Sequence, residues 1–261
     1  MANSMQPSAQ IDHLVVAAAS LAEGVQWCES VLGITPGPGG EHALMGTHNR
    51  VFTHASTAFS QAYFEIIAIH SGASCACSTW AKRWFDLDSP DLQEQLRITG
   101  PRLIHFVARS ADVQADVRAL AALGIDRGAV LAASRALPQG RPGAEQPPRG
   151  AAPHAQRQAG RPVSPQGLLT WQITVRDDGQ RLFNGALPTL IQWGDVHPTQ
   201  GMADSGVTLQ SLRVTQPQPD ALRQAYEAIG LAGVDVMQGP PNLIATLQTP
   251  RGVVTLESKG I

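Results

Sequence analysis

Short apolar, β-branched runs alternate along this chain with amphipathic stretches of helical period, and the alternation recurs. Ile11-Asp12-His13-Leu14-Val15-Val16 reads as a strand, and Leu21 to Leu32 as an amphipathic helix closed by Gly33, the residue type that ends helices. A Gly- and Pro-rich turn from Pro36 to Gly40 follows, then a short segment near His42 to Met45, a strand from Asn49 to His54, and a strongly apolar strand from Ala62 to Ile69. The unit is a strand, a helix and three strands, βαβββ.

The same order restarts at Leu103-Ile104-His105-Phe106-Val107. A helix from Ala111 to Leu123 ends at Gly124, and strands are predicted over Ala129 to Ala133, Leu168 to Arg176 and Pro188 to Trp193. A third round has a strand from Val207 to Thr215, a helix from Pro219 to Ile229, and strands at Val234 to Met237, Leu243 to Gln248 and Val253 to Glu257. The chain therefore divides into a first module at 10–72, a connector at 73–100, a second module at 101–200 and a third at 205–259. The connector reads as helical from Thr79 to Ile98, with Trp80, Trp84 and Phe85 on a core-facing stripe. Residues 137–167 form an insert crowded with Pro, Gly, Gln and Arg, expected as a loop because it has little apolar surface to offset its ordering entropy. The fold class expected is α+β, with repeated βαβββ modules whose curved mixed sheets enclose a cavity. The third module is expected to pack structurally or to pair with its counterpart in a second copy, as a homodimer.

Composition narrows the function. With 43% hydrophobic and 15% charged residues in 261, the chain can bury a large core, and its net charge of -2 gives no electrostatic footprint for nucleic acid or an anionic membrane. No segment reaches the roughly 18 apolar residues of a membrane span, and no basic-then-apolar leader opens the chain, so a cytoplasmic protein is expected. Cys28, Cys75 and Cys77 are too few and too oddly spaced for a disulfide framework or a structural zinc site.

The chemistry is sought where the repeat superposes polar residues. His13 and His105 are each the third residue of a module's first strand, and Glu65 and Gln192 lie in the last strands. Glu65 follows His13 by 52 residues; Gln192 follows His105 by 87, or 56 with the 31-residue insert set aside. Polar residues inside apolar strands are costly unless paired, and any one of these could be a satisfied half-buried side chain. As a set, two imidazoles, a carboxylate and a carboxamide oxygen suit a divalent cation such as Fe, Mn, Ni, Co or Zn. In the third module Ser211 and Glu257 take these places, without an imidazole. His42 and Asn49 flank the Gly46-Thr47 turn, His42 as a candidate proton carrier beside Glu65 and Asn49 as a candidate substrate ligand; Trp171 and Trp193 are candidate pocket walls. His48, His54, His70, His154 and His197 read as surface or strand-end residues.

Four segments carry a resemblance to a known family. Ile11-Asp12-His13-Leu14-Val15, Gly39-Gly40-Glu41-His42 with Gly46-Thr47-His48-Asn49, Tyr63-Phe64-Glu65, and Leu187-Pro188 leading to Leu190-Ile191-Gln192-Trp193-Gly194 resemble the vicinal oxygen chelate superfamily, and within it the glyoxalase-like domain proteins. The resemblance covers most of residues 10 to 200. It implies the glyoxalase/bleomycin-resistance/dioxygenase-like fold, a metal held by His13, Glu65, His105 and Gln192, and an enzyme of isomerase, lyase or dioxygenase type acting on a small oxygen-chelating substrate. Its other implication is a metal-free protein that binds or sequesters a small molecule, as in the antibiotic-resistance relatives. Gln192 departs from the pattern, since it offers an oxygen but no base where a metal-dependent glyoxalase has a glutamate. Extradiol dioxygenases likewise carry their glutamate in the second module, whereas Glu65 is in the first.

Overall fold

A computed structural model describes residues 9–72, 82–136 and 168–261. The expectations for Cys75, Cys77, Trp80, His154 and the 137–167 insert fall outside the described residues.

The first unit comprises β1 (Ala9–Ala17), α1 (Leu21–Val31), β2 (Gly37–His42), β3 (Thr47–Thr53) and β4 (Tyr63–Ile69). After α2 (Pro90–Thr99), the second comprises β5 (Arg102–Ser110), α3 (Val113–Ala122), β6 (Ala129–Ala136), β7 (Leu168–Val175) and β8 (Thr189–Trp193). Both major helices start at an N-cap whose side chain accepts a backbone N–H, Ser20 from Glu23 and Asp112 from Ala115, the residue types that satisfy the open first turn. Together the two units build one eight-stranded sheet in the order β2-β3-β4-β1-β5-β8-β7-β6. At its centre β1 and β5 run antiparallel, and each is flanked on its outer side by the last strand of its own unit, parallel to it. The sheet is therefore two copies of one half-barrel joined back to back.

Alternation along the strands sorts side chains into two layers. Val15, Ile67, Val107, Ile173 and Ile191 face inward and pack with Phe85 and Leu92 from the connector. Leu14, Val16, Phe64, Ile66 and Phe106 face outward under α1 and α3, into a cluster that also holds Leu212 and Tyr226 of the third unit.

That third unit comprises β9 (Thr208–Gln216), α4 (Pro219–Ala228), β10 (Val234–Gln238), β11 (Asn242–Thr249) and β12 (Gly252–Glu257). It has the expected element order but a different sheet, β10-β9-β11-β12, in which the first strand does not lie beside the last. Glu257 is therefore no counterpart of Glu65; it sits exposed on an end strand of the sheet. The apolar face of this unit is taken up within the chain. Leu209 N–H bonds the His54 carbonyl at 2.9 Å, and the Tyr226 hydroxyl bonds the Ala186 carbonyl at 2.5 Å.

Two local expectations change. The stretch expected as a Gly/Pro turn begins strand β2, whose ladder to β3 tolerates Pro38 because an irregularity between Pro38 and Glu41 releases the pairing there. Among the described residues of the connector, the α-helix begins at Pro90, after the Ser89 cap. Ahead of it Phe85 and Asp86 adopt φ of 60° and 58°, held by an Arg83–Asp88 ion pair at 2.6 Å and an Arg181–Asp86 ion pair at 2.9 Å. This compact turn aims Trp84 and Phe85 at the inner face of the sheet, so they line the cavity described next.

Candidate functional site

A cavity of about 30 Å³ opens on the inner face of the first unit, walled by His13, Glu65, Asn49, His42, Trp84 and Trp193. Its floor is set by a bulge. The β1–β5 register shifts between Ile11 and His13, breaking the alternation, and Asp12 and His13 are both buried, at 0% and 4% exposure.

Asp12 is the anchor. Its Oδ1 lies 2.7 Å from His13 Nδ1, and its Oδ2 accepts from the Trp193 indole N–H at 2.9 Å and lies 3.0 Å from His197 Nε2. Burial alone would raise this carboxyl, but the hydrogen bonds from His13 and His197 outweigh it and hold the group below the usual carboxylate range. An ionised Asp12 accepts only, so His13 must carry its proton on Nδ1 and turn Nε2 to the cavity. There Nε2 stands 3.6 Å from Glu65 Oε2. The Tyr63 ring stacks on the imidazole at 4.4 Å and fixes its plane.

Glu65 is clamped from the other side. Asn49 Nδ2 donates to Glu65 Oε1 at 2.6 Å, and Asn49 Oδ1 accepts from Gly40 N–H at 2.8 Å, which settles which way the amide points. A Cβ on Gly39 would come within 2.1 Å of the Asn49 carbonyl oxygen, so β2 can approach Asn49 this closely only with glycine there. His42 bonds Thr47 through Nδ1 at 3.0 Å, and its Nε2 lies 3.4 Å from Asn49 Nδ2 and 4.0 Å from Glu65 Oε1. Burial pushes His42 down to about 4, with Glu65 pulling the other way, so the imidazole is neutral at physiological pH. Trp84 meets it edge-on at 5.0 Å.

The structure thus brings together His13, Glu65, His42, Asn49, Trp171 and Trp193 on one cavity. It leaves out two residues expected there. His105 is fully buried, with Nδ1 at 2.8 Å from the Gly185 carbonyl and Nε2 accepting from the Thr189 N–H at 3.1 Å, so both ring nitrogens are committed to the protein. Burial holds it well below its ordinary pKa. Gln192 has the opposite strand parity to its neighbours Ile191 and Trp193, which line the cavity, and its Oε1 instead accepts the Val113 N–H of α3 at 2.9 Å.

The true counterpart of Glu65 follows from the ladders. Ser20 and Asp112, like His13 and His105, are 92 residues apart. Val15 pairs with Glu65 across β1–β4, and Val107, 92 residues after Val15, pairs with Thr189 across β5–β8. Thr189 therefore stands where the first unit has Glu65. Its hydroxyl accepts from Arg127 Nη2 at 2.8 Å, and the Nε and Nη1 of that 2%-exposed guanidinium have no partner among the described residues.

These positions bear on a metal. Members of the vicinal oxygen chelate superfamily commonly use divalent ions, but among the described residues no three His, Cys, Asp or Glu side chains are arranged to hold one. With His105 and Gln192 committed elsewhere and His42 Nε2 engaged by Asn49, the cavity presents His13 Nε2 and Glu65, fewer donors than the three or four of ordinary protein metal sites. The residues present do not fit the four-ligand site expected from the sequence.

Two members of the site, His197 and Asp12, were not among the residues expected there. His197, expected at the surface or a strand end, is 6% exposed and bonds Asp12. His54, expected likewise, follows the last residue of β3 and is fully buried against Phe64, outside the cavity. Asp12 itself gave a signal, a carboxylate inside an apolar strand next to a histidine.

Two joined βαβββ half-barrels around an inner cavity define a protein of the vicinal oxygen chelate fold. Residues 11–230 match the model of a glyoxalase-like domain, and the chain belongs to that family. No curated protein matches it. Among solved structures it is similar to a hypothetical protein from Staphylococcus aureus, at 11% identity over 95% of this chain and 85% of that one, with a TM-score of 0.48. It is also similar to methylmalonyl-CoA epimerases, from Streptomyces coelicolor in complex with 2-nitronate-propionyl-CoA (14% identity, 72% and 96% covered, TM-score 0.36) and from Mycobacterium tuberculosis (13%, 70% and 85%, 0.33). No helix among the described residues is long and apolar enough to cross a membrane.

Proposed function

We propose that this protein is an enzyme that moves a proton next to the carbonyl of a small substrate, with Glu65 and His13 as its acid–base pair. One observation carries the reading: His13 Nε2 and Glu65 Oε2 face each other at 3.6 Å, and each side chain is fixed from behind, by Asp12 and by Asn49. A base and an acid held in place at a water-poor cavity are what enolisation needs.

In the step proposed, the Glu65 carboxylate takes the proton from the carbon beside the carbonyl. The C–H electron pair becomes the enolate double bond, and the carbonyl π pair moves onto oxygen. His13, as an imidazolium paired with Asp12, returns a proton to the carbon chain, which completes an isomerisation or epimerisation. Glu65, now protonated, passes its proton to His13 Nε2 and both groups are reset. Asn49 orients the base, the neutral His42 holds Asn49, and Trp171 and Trp193 wall the pocket.

The test is a panel of aldehydes, ketones and 2-oxo acids in deuterium oxide, read by proton NMR for deuterium uptake at the carbon next to the carbonyl. The expected result is catalytic uptake by the wild type on at least one compound and its loss in Glu65→Gln. Uptake that survives in both Glu65→Gln and His13→Asn would overturn the reading. Ligand binding without uptake would favour the sequestering role instead.

A further inference from the structure

One side chain of the cavity wall has no role in that proposal. Arg135, on β6, is the sole Lys or Arg among the described residues lining the His13–Glu65 cavity, and it also lines a second, larger cavity of about 550 Å³. That neighbour is mainly apolar, walled by Pro38, Val51, Phe52, Leu169, Val196 and Met202. His197, which bonds Asp12 through Nε2 and Thr199 through Nδ1, lines the larger cavity.

The guanidinium is placed as an anion receptor. Its Nη1 is buried and has no hydrogen-bond partner among the described residues. It lies close over Gly40 of β2, where a Cβ would come within 2.5 Å of Nη1, so a larger residue there would make the guanidinium shift. A buried guanidinium nitrogen without an acceptor is costly, and a carboxylate is the acceptor its fork fits best. The volume beside it is that of a ligand pocket lined by apolar side chains with few polar groups.

We infer that the ligand of this protein is an organic carboxylate with an apolar body, its carboxylate held by Arg135 and its body in the cavity of Pro38, Phe52 and Met202. The acid–base reading is not needed for this assignment. The assignment of the ligand class stands on the cavity and the cation.

The experiment is isothermal titration of the full chain with octanoate, octanamide and acetate, probes that share the tail, the shape or the charge. Octanoate is expected to bind at least tenfold more tightly than either of the others, the difference one charge-assisted hydrogen bond makes. Arg135→Gln should erase the preference for octanoate over octanamide, and Arg135→Lys, which keeps the charge but not the fork, should retain part of it. Circular dichroism melting shows whether the variants are folded, and the wild-type comparison needs no variant. Equal affinity for octanoate and octanamide, a preference that survives Arg135→Gln in a folded variant, or no binding of octanoate at millimolar concentration each overturns the inference. Deuterium uptake into 2-oxooctanoate then separates the two claims: octanoate selectivity without uptake defeats the acid–base reading and leaves the carboxylate site, and uptake without selectivity does the reverse.

Discussion

Glu65 and Thr189 hold the same place in two copies of one unit: each pairs, across a parallel ladder, with the valine two residues after the first-strand histidine. In the first copy that place holds a carboxylate turned to a cavity, and in the second a hydroxyl that closes on His105 and Arg127. Under the proposed function, the same scaffold uses one copy for chemistry and the other for stability.

Mutating the two histidines should separate these uses. His105→Ala removes both ring contacts of a fully buried side chain and leaves the Gly185 carbonyl and the Thr189 N–H without their partner. It is expected to cost about 3 kcal/mol of unfolding free energy in urea melts, with ligand binding unchanged. His13→Asn should cost less stability and abolish turnover. A His105→Ala variant that folds as well as the wild type but loses function would contradict this division.

Asp12 gathers three donors, so Asp12→Asn cannot serve them all. A loss of about 3–5 kcal/mol is expected, together with a fall in turnover of roughly 10²–10⁴-fold as the His13 imidazolium loses its paired carboxylate. The folded-state pKa of Asp12 is depressed, so its contribution is present above the unfolded value near 3.8 and is lost as pH falls through the folded value. Acid unfolding of the wild type below pH 4 should therefore be steeper than that of Asp12→Asn, measured by circular dichroism.

Buried histidines set a second pH window. His42 and His54 are both pushed by burial from 6.5 to about 4, so the unfolded chain takes up protons that the folded chain refuses. Stability should be full above pH 6.5 and fall towards pH 4, by up to about 1.4 kcal/mol per pH unit for each histidine. His54 is the clean test, because it is fully buried and lies outside the His13–Glu65 cavity. His54→Leu should melt higher than the wild type, by more at pH 5 than at pH 8. Parallel melting curves across that range would count against the assignment.

Gly39 tests the support behind the base. Gly39→Ala drives a methyl group into the Asn49 carbonyl, so Asn49 must shift away from Glu65. Turnover is expected to fall at least tenfold with stability reduced by about 1–3 kcal/mol, and the crystal structure of the variant should show a longer Asn49–Glu65 contact. An unmoved Asn49 would show that β2 has slack.

Much of this was legible in the chain. Period-two and period-3.6 patterns, with capping residues and glycine stops, located the helices and most of the strands of the three units, because those signals are local; β2, whose first half was expected as a turn, was not. His13, Glu65, His42 and Asn49 were identified because each is polar within or beside an apolar strand. The error at the second unit had one cause: Gln192 was matched to Glu65 by residue type, whereas strand pairing assigns Thr189, three residues earlier. Pairing between distant strands leaves no local trace. Asp12 and His197 were missed for related reasons, since a bulge that breaks strict alternation buries the first and a loop 185 residues away delivers the second. Arg135 gave no signal, because the lack of an acceptor for its Nη1 among the described residues shows only in the fold.

The central claim, that chemistry is confined to the first unit, is tested most directly by comparing Glu65→Gln with Thr189→Val in deuterium uptake on whichever panel compound the wild type turns over. The account predicts that Glu65→Gln abolishes uptake while retaining ligand binding, and that Thr189→Val keeps uptake within a few-fold of wild type despite a lower melting temperature. Uptake preserved in Glu65→Gln, or lost in a folded Thr189→Val, would contradict it.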